Sequence, residues 1–578
     1  MVIVLSDWSN EDATSILKNL KRHNEWYSIK RKTSQPLIPS IKKGMFKERM
    51  TLYKNRMPDM HISDIYYNAF LVNGKKEQHY RDVSPGEKIR LRVINAGAST
   101  YFMLNGTYSL RVIAADGVDV VPTKIDQVLI AIAETYDFEI SIPENGAYHF
   151  QATAQDGSGS TNVFIGQEKN QFAPKIPKPD YFALMKKVAE FHKGGHNSHM
   201  VKPYTKIISS TSKTMKTHKS TDDGHKEHSK HMDMSKNKHS KMEPNITTTF
   251  DYGFLKSPQS TEISHKKETR EVMMNLNANM LRYVWMINGK VLSKDDKILI
   301  KKDEKVRFIM NNNTMMHHPM HLHGHFFRVI NKNGSHSPLK HTVDIPPFES
   351  VTIEFDANEY GDWFFHCHIL YHMASGMAKV VSYNTPRDSS LEPFPYDKVL
   401  QHDQKFFHWF TAGVASNMGS LTYNAENTFN AFISQLSFGW NNRYEHDFRY
   451  ERYVNNYTRF NVGVTMDGGN IDPENSDELV GYIGVRNQLL SVLDAGINVD
   501  TKLRPELELE WHIGLLNRVQ LTGHYEWKND FSFIGDEDQY TNEHTFNFAV
   551  EYTLNKLLNS NLNYDNRYGF GVGLMFLF

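Results

Sequence analysis

The sequence predicts an all-β fold in which two β-sandwich domains, a disordered insert and a C-terminal antiparallel β-barrel-like domain are joined in one chain. Short alternating segments, broken by turn residues, recur at about ten-residue spacing on both sides of a polar insert. Near the C-terminus the alternating segments carry aromatic residues close to their ends, as barrel strands do. No apolar run reaches about eighteen residues, so no transmembrane helix is expected.

Length and charge limit the class of protein to which the chain can belong. At 578 residues the chain is longer than one hydrophobic core usually supports, so several domains are expected. Its 66 basic and 66 acidic residues balance, and we therefore expect no nucleic-acid partner. The single cysteine allows no intramolecular disulfide, and residues 1–8 lack the basic start of a secretory signal.

The first β-sandwich is expected at residues 65–170. A turn at 83–88 precedes Ile89, Leu91 and Val93, which alternate with arginines as the inward residues of a half-buried strand. Further strands are expected at 110–114, 127–132 and 136–142. The same rhythm returns at 268–390, which predicts a second sandwich after a linker at 171–267.

Two motifs about forty residues apart carry the strongest chemical signal. They read His318-Pro-Met-His321-Leu-His323-Gly324 and His366-Cys367-His368-Ile-Leu-Tyr-His372-Met-Ala-Ser-Gly-Met377. Alternate residues of a strand share a face, so Cys367 is expected to point away from His366 and His368. Two metal sites that lie back to back are therefore predicted.

The side of Cys367 predicts a blue-copper site. A thiolate, two imidazoles and a weak axial thioether form the trigonal arrangement of such sites, and the expected type 1 ligands are His318, Cys367, His372 and Met377. On the other side, four imidazoles suit the type 2 and type 3 copper ions that coordinate dioxygen: His321, His323, His366 and His368. Since Cys367 is bonded through the backbone to both flanking histidines, Cys367, His366 and His368 are the expected catalytic relay.

Two other interpretations of these motifs are weaker. Histidines can occupy a surface or a core without binding metal, but six of them at these spacings around a lone cysteine favour a site. Zinc favours a closed tetrahedral ligand set and makes no use of Met377. Copper is therefore the expected cofactor.

The motifs resemble the third cupredoxin domain of multicopper oxidases, together with His341-Thr-Val-Asp-Ile-Pro-Pro and Tyr360-Gly-Asp-Trp363. Within that family the chain is similar to the periplasmic copper-resistance protein A group. Leu91-Arg-Val-Ile-Asn95-Ala-Gly and Ala115-Asp116-Gly117 resemble the family's metal-free middle domain. Residues 3–8 resemble the tail of its first domain, so 1–64 is expected to be a remnant of that domain and a linker. The resemblance covers about residues 1–390.

The resemblance also implies ligands that this chain does not supply. The family completes its trinuclear copper cluster with a His-x-His-Gly and a His-x-His motif from the first domain, and neither motif occurs before residue 300. A fragment or a misplaced start codon is the expected explanation. A chain without these motifs would favour a mononuclear electron carrier over a dioxygen-reducing enzyme.

The insert at about 192–245 is rich in Lys, Ser, His and Met and is expected to be disordered. Imidazoles suit Cu(II) and thioethers suit Cu(I), so the insert is a candidate for copper loading. Its candidate ligands include His192, His196, His199, His225, His228, His231, Met232, Met234 and His239. The alternative is a solvated, lysine-rich linker with incidental histidines.

Residues 391–578 predict about ten antiparallel strands that close a barrel. Glu506, Glu508 and Glu510 share one face of a strand, whereas Phe546 and Phe548 are expected to face lipid. The segment, which ends in a terminal Phe, resembles the outer-membrane barrel of copper-resistance protein B, and this implies an oxidase that faces the periplasm. A soluble antiparallel sandwich or clamp is the alternative.

The function expected from these features is that of a copper-dependent oxidase in copper resistance. Electrons from Cu(I) or a small organic reductant would enter through His318 or His372 and pass by way of Cys367 to dioxygen. One alternative is a protein that sequesters copper at the outer membrane without turnover. Another is a pore whose plug senses copper.

Overall fold

The computed structural model describes residues 1–59, 61–144, 146–167, 171–193, 252–295, 297–386, 396–469, 478–530 and 541–578. Of the predicted insert ligands, only His192 lies within these ranges. The predictions for His196, His199, His225, His228, His231, Met232, Met234 and His239 therefore fall outside the described residues. None of the helices in the described ranges is long and apolar enough to cross a membrane.

Short helices add to the predicted strands, mostly between residues 13 and 54. Asp12 begins the first of them, because its carboxylate accepts a hydrogen bond from the Ser15 N–H over 2.9 Å. The helices are α1 (Ala13–Lys21), α2 (Trp26–Arg31), α3 (Leu37–Lys42), α4 (Phe46–Lys54), α5 (Tyr181–Lys193), α6 (Leu370–Ala374) and α7 (Tyr396–Leu400).

The N-terminal sheet contains the strands that were expected from 65–170 and one strand before them. The strands are β1 (Val2–Trp8), β2 (Ala69–Val72), β3 (Glu77–Tyr80), β4 (Lys88–Asn95), β5 (Phe102–Ala115), β6 (Val118–Ile130), β7 (Thr135–Ser141), β8 (Ala147–Ala154) and β9 (Ser160–Gly166). Strand β1 pairs in parallel with β4 and antiparallel with β2, so the first residues of the chain are part of this sheet.

Two sheets form the sandwich at residues 269–382. One has the order β11-β10-β13-β18-β15-β16 and the other β12-β20-β19-β14-β17 among the described strands. Their strands are β10 (Thr269–Asn279), β11 (Val284–Ile287), β12 (Ile298–Leu299), β13 (Lys305–Asn312), β14 (His318–Leu322), β15 (Phe327–Val329), β16 (Leu339–Lys340), β17 (Thr342–Ile345), β18 (Ser350–Asp356), β19 (Asp362–Cys367) and β20 (Ala378–Ser382).

The C-terminal strands close a barrel, which confirms that prediction with twelve described strands instead of about ten. They are β21 (Phe407–Ala415), β22 (Met418–Glu426), β23 (Asn430–Gly439), β24 (Tyr444–Tyr453), β25 (Thr458–Gly468), β26 (Glu478–Leu490), β27 (Leu493–Asp500), β28 (Pro505–Leu516), β29 (Val519–Asp530), β30 (Thr541–Asn555), β31 (Leu558–Asp565) and β32 (Gly569–Leu577). The all-β prediction is thus confirmed.

The rest of the chain lies at one end of the barrel. The barrel turns contact it there through Asn427, Asn456, Ser491, Asn517 and Lys556. For example, Arg282 donates to the Asn427 carbonyl over 3.4 Å, and the Ser491 N–H donates to the Tyr53 carbonyl over 3.0 Å. Helices α1–α4 and the sandwich of β10–β20 therefore lie over this mouth of the barrel.

Candidate metal centre

The register between β14 and β19 brings the two histidine motifs together. Met320 lies opposite Cys367, and His321 lies opposite His366. Directly opposed residues in a sheet point to the same face, and neighbours along a strand point to opposite faces. The register therefore puts the thiol on one face and the paired imidazoles on the other.

On the inner face, three side chains converge on one point. The Sγ of Cys367 lies 3.7 Å from Nδ1 of His318 and 3.7 Å from Nδ1 of His372, and the two nitrogens are 3.3 Å apart. All three residues are fully buried. The three donor atoms thus form a compact triangle in a dry environment, at the position of the predicted blue-copper site.

The dimensions of this triangle fit a metal ion in its plane. Typical metal bonds of about 2.3 Å to sulfur and about 2.05 Å to nitrogen, at trigonal angles, separate the donors by about 3.8 Å and about 3.6 Å. The observed separations of 3.7 Å and 3.3 Å are close to these values. A soft thiolate with two imidazoles is a donor set that copper favours.

The outer nitrogens of the two imidazoles have partners that orient the rings. Nε2 of His318 lies 2.7 Å from Oγ1 of Thr314, and Nε2 of His372 lies 2.9 Å from Oδ2 of Asp64. Each ring therefore keeps Nδ1 for the metal, which is how neighbouring groups commonly fix metal-binding histidines. The Trp285 ring stacks on His372 at 3.6 Å between centroids and restricts it further.

Burial governs the protonation of these candidate ligands. It lowers the pKa of His318 well below its usual value, with a further contribution from the neighbouring imidazole of His372. Burial raises the pKa of the Cys367 thiol. The imidazole is therefore ready to bind, whereas the thiol must release a proton when the metal enters.

The predicted axial ligand Met377 is adjacent to the triangle through its backbone. The N–H of Cys367 donates to the Met377 carbonyl over 3.1 Å, and the N–H of Met377 donates to the His372 carbonyl over 3.1 Å. Met377 is fully buried. Axial thioether ligation by Met377 stays a prediction.

The four imidazoles predicted for the second site do cluster. The ring centroids of His366 lie 5.3 Å from those of both His323 and His368, and the rings of His321 and His323 are 4.8 Å apart. Nε2 of His323 approaches Nε2 of His366 to 3.1 Å. This group borders solvent, since His323 is exposed.

Backbone carbonyls hold two of these rings. Nδ1 of His321 bonds the His341 carbonyl over 2.8 Å, and Nδ1 of His366 bonds the Cys367 carbonyl over 3.0 Å. Burial lowers the pKa of His321 to about 4 and that of His366 to about 3. Both rings therefore present a neutral Nε2 to a metal at neutral pH.

Sequence reasoning missed Asp64 and Thr314, which hold the outer nitrogens of the imidazoles of the predicted blue-copper site. It named His341 only within a family motif and did not predict that this ring lies 5.3 Å from that of His321. Asp64 is 308 positions from His372, so no local pattern could pair them. Thr314 is only four residues before His318, and that spacing was a usable signal.

Of the insert candidates, His192 is the one described. Its ring lies 5.7 Å from that of Phe348, at the end of α5. Copper loading by His192 and by the other insert residues stays a prediction.

Comparison with known proteins agrees with the geometry. Two multicopper oxidase family profiles match residues 1–171 and 265–387. The copper resistance protein A homolog of Pseudomonas syringae pv. tomato is 27% identical over 419 residues, which are 66% of this chain and 70% of the relative. Copper resistance protein A of Escherichia coli is 27% identical over 432 residues, with 66% of this chain and 71% of the relative covered.

Among solved structures, the multicopper oxidase Fet3p aligns with a TM-score of 0.42 at 15% identity, over 66% of this chain and 65% of that chain. The family matches fall on the two regions that contain the N-terminal sheet and the histidine motifs. The chain belongs to the multicopper oxidase family and is a copper-dependent oxidoreductase.

Proposed function

We propose that this oxidase acts in copper resistance by oxidising Cu(I), with His318, Cys367, His372 and Met377 as the electron-accepting site. The observation that carries the proposal is the buried triangle of Cys367, His318 and His372, whose donor separations fit a trigonal metal. The relatives named for copper resistance support this role and this cofactor.

Copper bound at the two faces supplies one-electron redox chemistry, by which electrons from the reductant reduce dioxygen to water. The chain provides a short covalent connection between the faces, because Cys367 is bonded to His366 and His368. A hydrogen bond from the His366 ring to the Cys367 carbonyl adds a second contact between these two residues. His321 and His323 complete the imidazole group that would meet dioxygen.

Asp64 links the Cys367 site to the segment that precedes the first sandwich. Its Oδ2 accepts hydrogen bonds from Nε2 of His372 and from the Tyr283 hydroxyl, over 2.9 Å and 2.7 Å. Asp64 also borders the cavity beneath the helices, and Met280 lines the same cavity. Because Asp64 connects this cavity to His372, we expect electrons to enter through His372 and not through His318.

We further propose that the barrel spans the outer membrane, with the cupredoxin domains in the periplasm. Phe546, Phe548 and Val550 are exposed on the outside of the barrel, as lipid-facing residues are. Inside, charged side chains that include Arg449, Arg459 and Glu508 line a polar lumen. Such an apolar exterior around a polar interior is typical of outer-membrane barrels.

The lengths of the barrel connections support this orientation. The five turns on the cupredoxin side, which join β22 to β23, β24 to β25, β26 to β27, β28 to β29 and β30 to β31, are only two to four residues long. Outer-membrane barrels have short turns on the periplasmic side and longer loops outside.

Dioxygen uptake by the copper-loaded chain in the presence of Cu(I) tests the oxidase proposal. We expect uptake in the wild type and in the exposed control His265→Asn, and its loss in Cys367→Ser. Uptake that survives Cys367→Ser would contradict the role of this site. Absence of uptake from a fully loaded wild type would favour copper sequestration, the second candidate, which the open face at His323 and the histidine-rich insert support.

A further inference from the structure

The turn between β10 and β11, residues 280–283, lies between the mouth of the barrel and the Cys367 site. Asn279 pairs with Val284 at the end of this hairpin. Within the turn, Arg282 contacts the barrel, and Trp285, three positions later, stacks on His372. A very short stretch of backbone therefore joins a barrel contact to a candidate copper ligand.

The barrel holds the Arg282 side chain by three kinds of contact. Its Nε donates to Oε1 of Glu426 over 3.2 Å, and one Nη donates to the Thr428 carbonyl over 2.9 Å. The guanidinium also lies over the Tyr453 ring, 3.2 Å from its centroid. A planar guanidinium suits such combined ion pairing and stacking, and the side chain is thereby held in one position.

The residue that follows Arg282 has an unusual backbone conformation. Tyr283 has a φ of +51°, in the left-handed region that bulky residues rarely adopt. Contacts on both sides hold it there, since the Arg282 N–H donates to Oδ1 of Asn279 over 3.1 Å and Nζ of Lys21 donates to the Tyr283 carbonyl over 2.8 Å. Such conformations persist only where the surroundings fix them. The orientation of Tyr283 therefore depends on how Arg282 is held.

Tyr283 and Trp285 in turn surround His372. The Tyr283 hydroxyl donates to Oδ2 of Asp64 over 2.7 Å, and the same oxygen accepts the bond from Nε2 of His372 over 2.9 Å. The rings of Tyr283 and Trp285 meet edge to face with centroids 5.7 Å apart. Both rings are buried. A displaced Tyr283 would therefore change both the acceptor of His372 and the packing of the ring that stacks on it.

We propose that Arg282 is a positioning residue for the Cys367 site, through which the barrel fixes the Tyr283 hydroxyl on Asp64. Because two donors share Oδ2 of Asp64, loss of the Tyr283 donor makes the carboxylate a stronger acceptor for His372. A stronger acceptor raises the basicity of the metal-binding nitrogen, which favours Cu(II) over Cu(I). The barrel contact is therefore expected to raise the reduction potential of the site. The inference rests on the proposed function, because it concerns the proposed electron-accepting copper.

The reduction potential, followed through the blue absorption of the copper-loaded full chain, tests this inference. Arg282→Met should favour Cu(II) over Cu(I) on the order of tenfold more than the wild type does, which for one electron lowers the potential by about 59 mV. Arg282→Lys should recover part of this shift, because it keeps the charge opposite Glu426. Arg452→Met is the matched control, since Arg452 lies at the same mouth of the barrel but is exposed.

A wild-type potential in Arg282→Met would overturn the inference. An equal shift in Arg452→Met would also overturn it, because any disturbance of the barrel mouth would then have the same effect. If Arg282→Met does not fold, Tyr283→Phe keeps the ring and removes only the hydroxyl. Tyr283→Phe should lower the potential in the same direction, and an unchanged potential would contradict the connection through Asp64.

A measurement on the copper-free chain separates this inference from the oxidase proposal. Cys367 is the only cysteine and is fully buried, so its reaction with a thiol reagent reports how well the surrounding rings are packed. We expect Arg282→Met to react several-fold faster than the wild type and Arg452→Met, because Trp285 no longer holds His372 in place. Equal rates in the three chains would overturn the inference and leave the oxidase proposal untouched. A wild type without the blue band would contradict the oxidase proposal, whereas the thiol rates would still decide the positioning role of Arg282.

Discussion

The imidazole of His372 donates from Nε2 to Oδ2 of Asp64 over 2.9 Å, and this bond joins a proposed copper ligand to the segment that precedes the first sandwich. Both side chains are buried, and Tyr283 donates to the same oxygen. The carboxylate therefore fixes the tautomer of His372 that leaves Nδ1 for copper. We therefore expect Asp64 to act as a positioning residue for the proposed blue-copper site.

Asp64→Asn should weaken copper retention at the Cys367 site by about 10- to 100-fold, because the amide no longer offers a charged acceptor to the ring. The measurement is the blue absorption of the copper-loaded protein during titration with a chelator. Asp119→Asn, at an exposed position, is the control. Identical titration curves for Asp64→Asn and the wild type would contradict the positioning role.

Gly376→Ala should disturb the same site through the packing of Trp285. Gly376 has a φ of +117°, and a Cβ there would lie 2.7 Å from the Trp285 carbonyl oxygen. We expect a loss of about 1–3 kcal/mol of stability and weaker blue absorption, because Trp285 stacks on His372. The matched control is Gly289→Ala, where φ is +72° and no atom lies within 4 Å. Equal effects of the two changes would show that backbone strain alone is responsible.

The stability of the copper-free protein should fall as the pH drops from about 6.5 towards 4. Burial holds the pKa of His321 at about 4 and that of His366 at about 3, whereas both have ordinary values when unfolded. In this window the unfolded chain binds more protons, so protonation favours unfolding. Melting temperatures across this range measure the effect. His321→Gln with His366→Gln should flatten the dependence, and His265→Gln should not; a slope unchanged by the double variant would contradict the assignment.

Lys340→Met should destabilise the contact between the two cupredoxin regions. Nζ of Lys340 lies 3.0 Å from Asp116 and 3.2 Å from Glu134, and all three side chains are buried. Removal of the ammonium leaves two carboxylates without a counter-charge, at a cost of about 3–5 kcal/mol. The free energy of unfolding measures the loss. Lys297→Met, at the partly exposed pair with Asp362, should cost less than about 1 kcal/mol. An equally small loss of unfolding free energy in Lys340→Met would contradict the role of Lys340 as the counter-charge of Asp116 and Glu134.

Local patterns predicted the parts of the site that depend on strand alternation. The two faces of β19 followed from the positions of Cys367, His366 and His368 alone, and the register of β14 against β19 brought His321 opposite His366 as required. The barrel also followed from alternation, and the closed order of strands β21–β32 confirms it.

The remaining features depend on contacts between distant segments. Asp64 reaches His372, and His512 reaches His23, across hundreds of residues with no periodic signal. Helices α1–α4 are short and take their stability from packing against the barrel mouth, as the Tyr53–Ser491 contact shows. Propensity in such short segments is too weak to predict them.

The most direct test of the account is the visible and paramagnetic spectrum of the copper-loaded 578-residue chain, with copper stoichiometry, beside that of Cys367→Ser. The account predicts an intense blue band from thiolate-bound Cu(II) that disappears in Cys367→Ser along with one tightly held copper. A wild type without the blue band, or a variant that keeps it, would contradict the assignment of Cys367, His318 and His372 as the copper site.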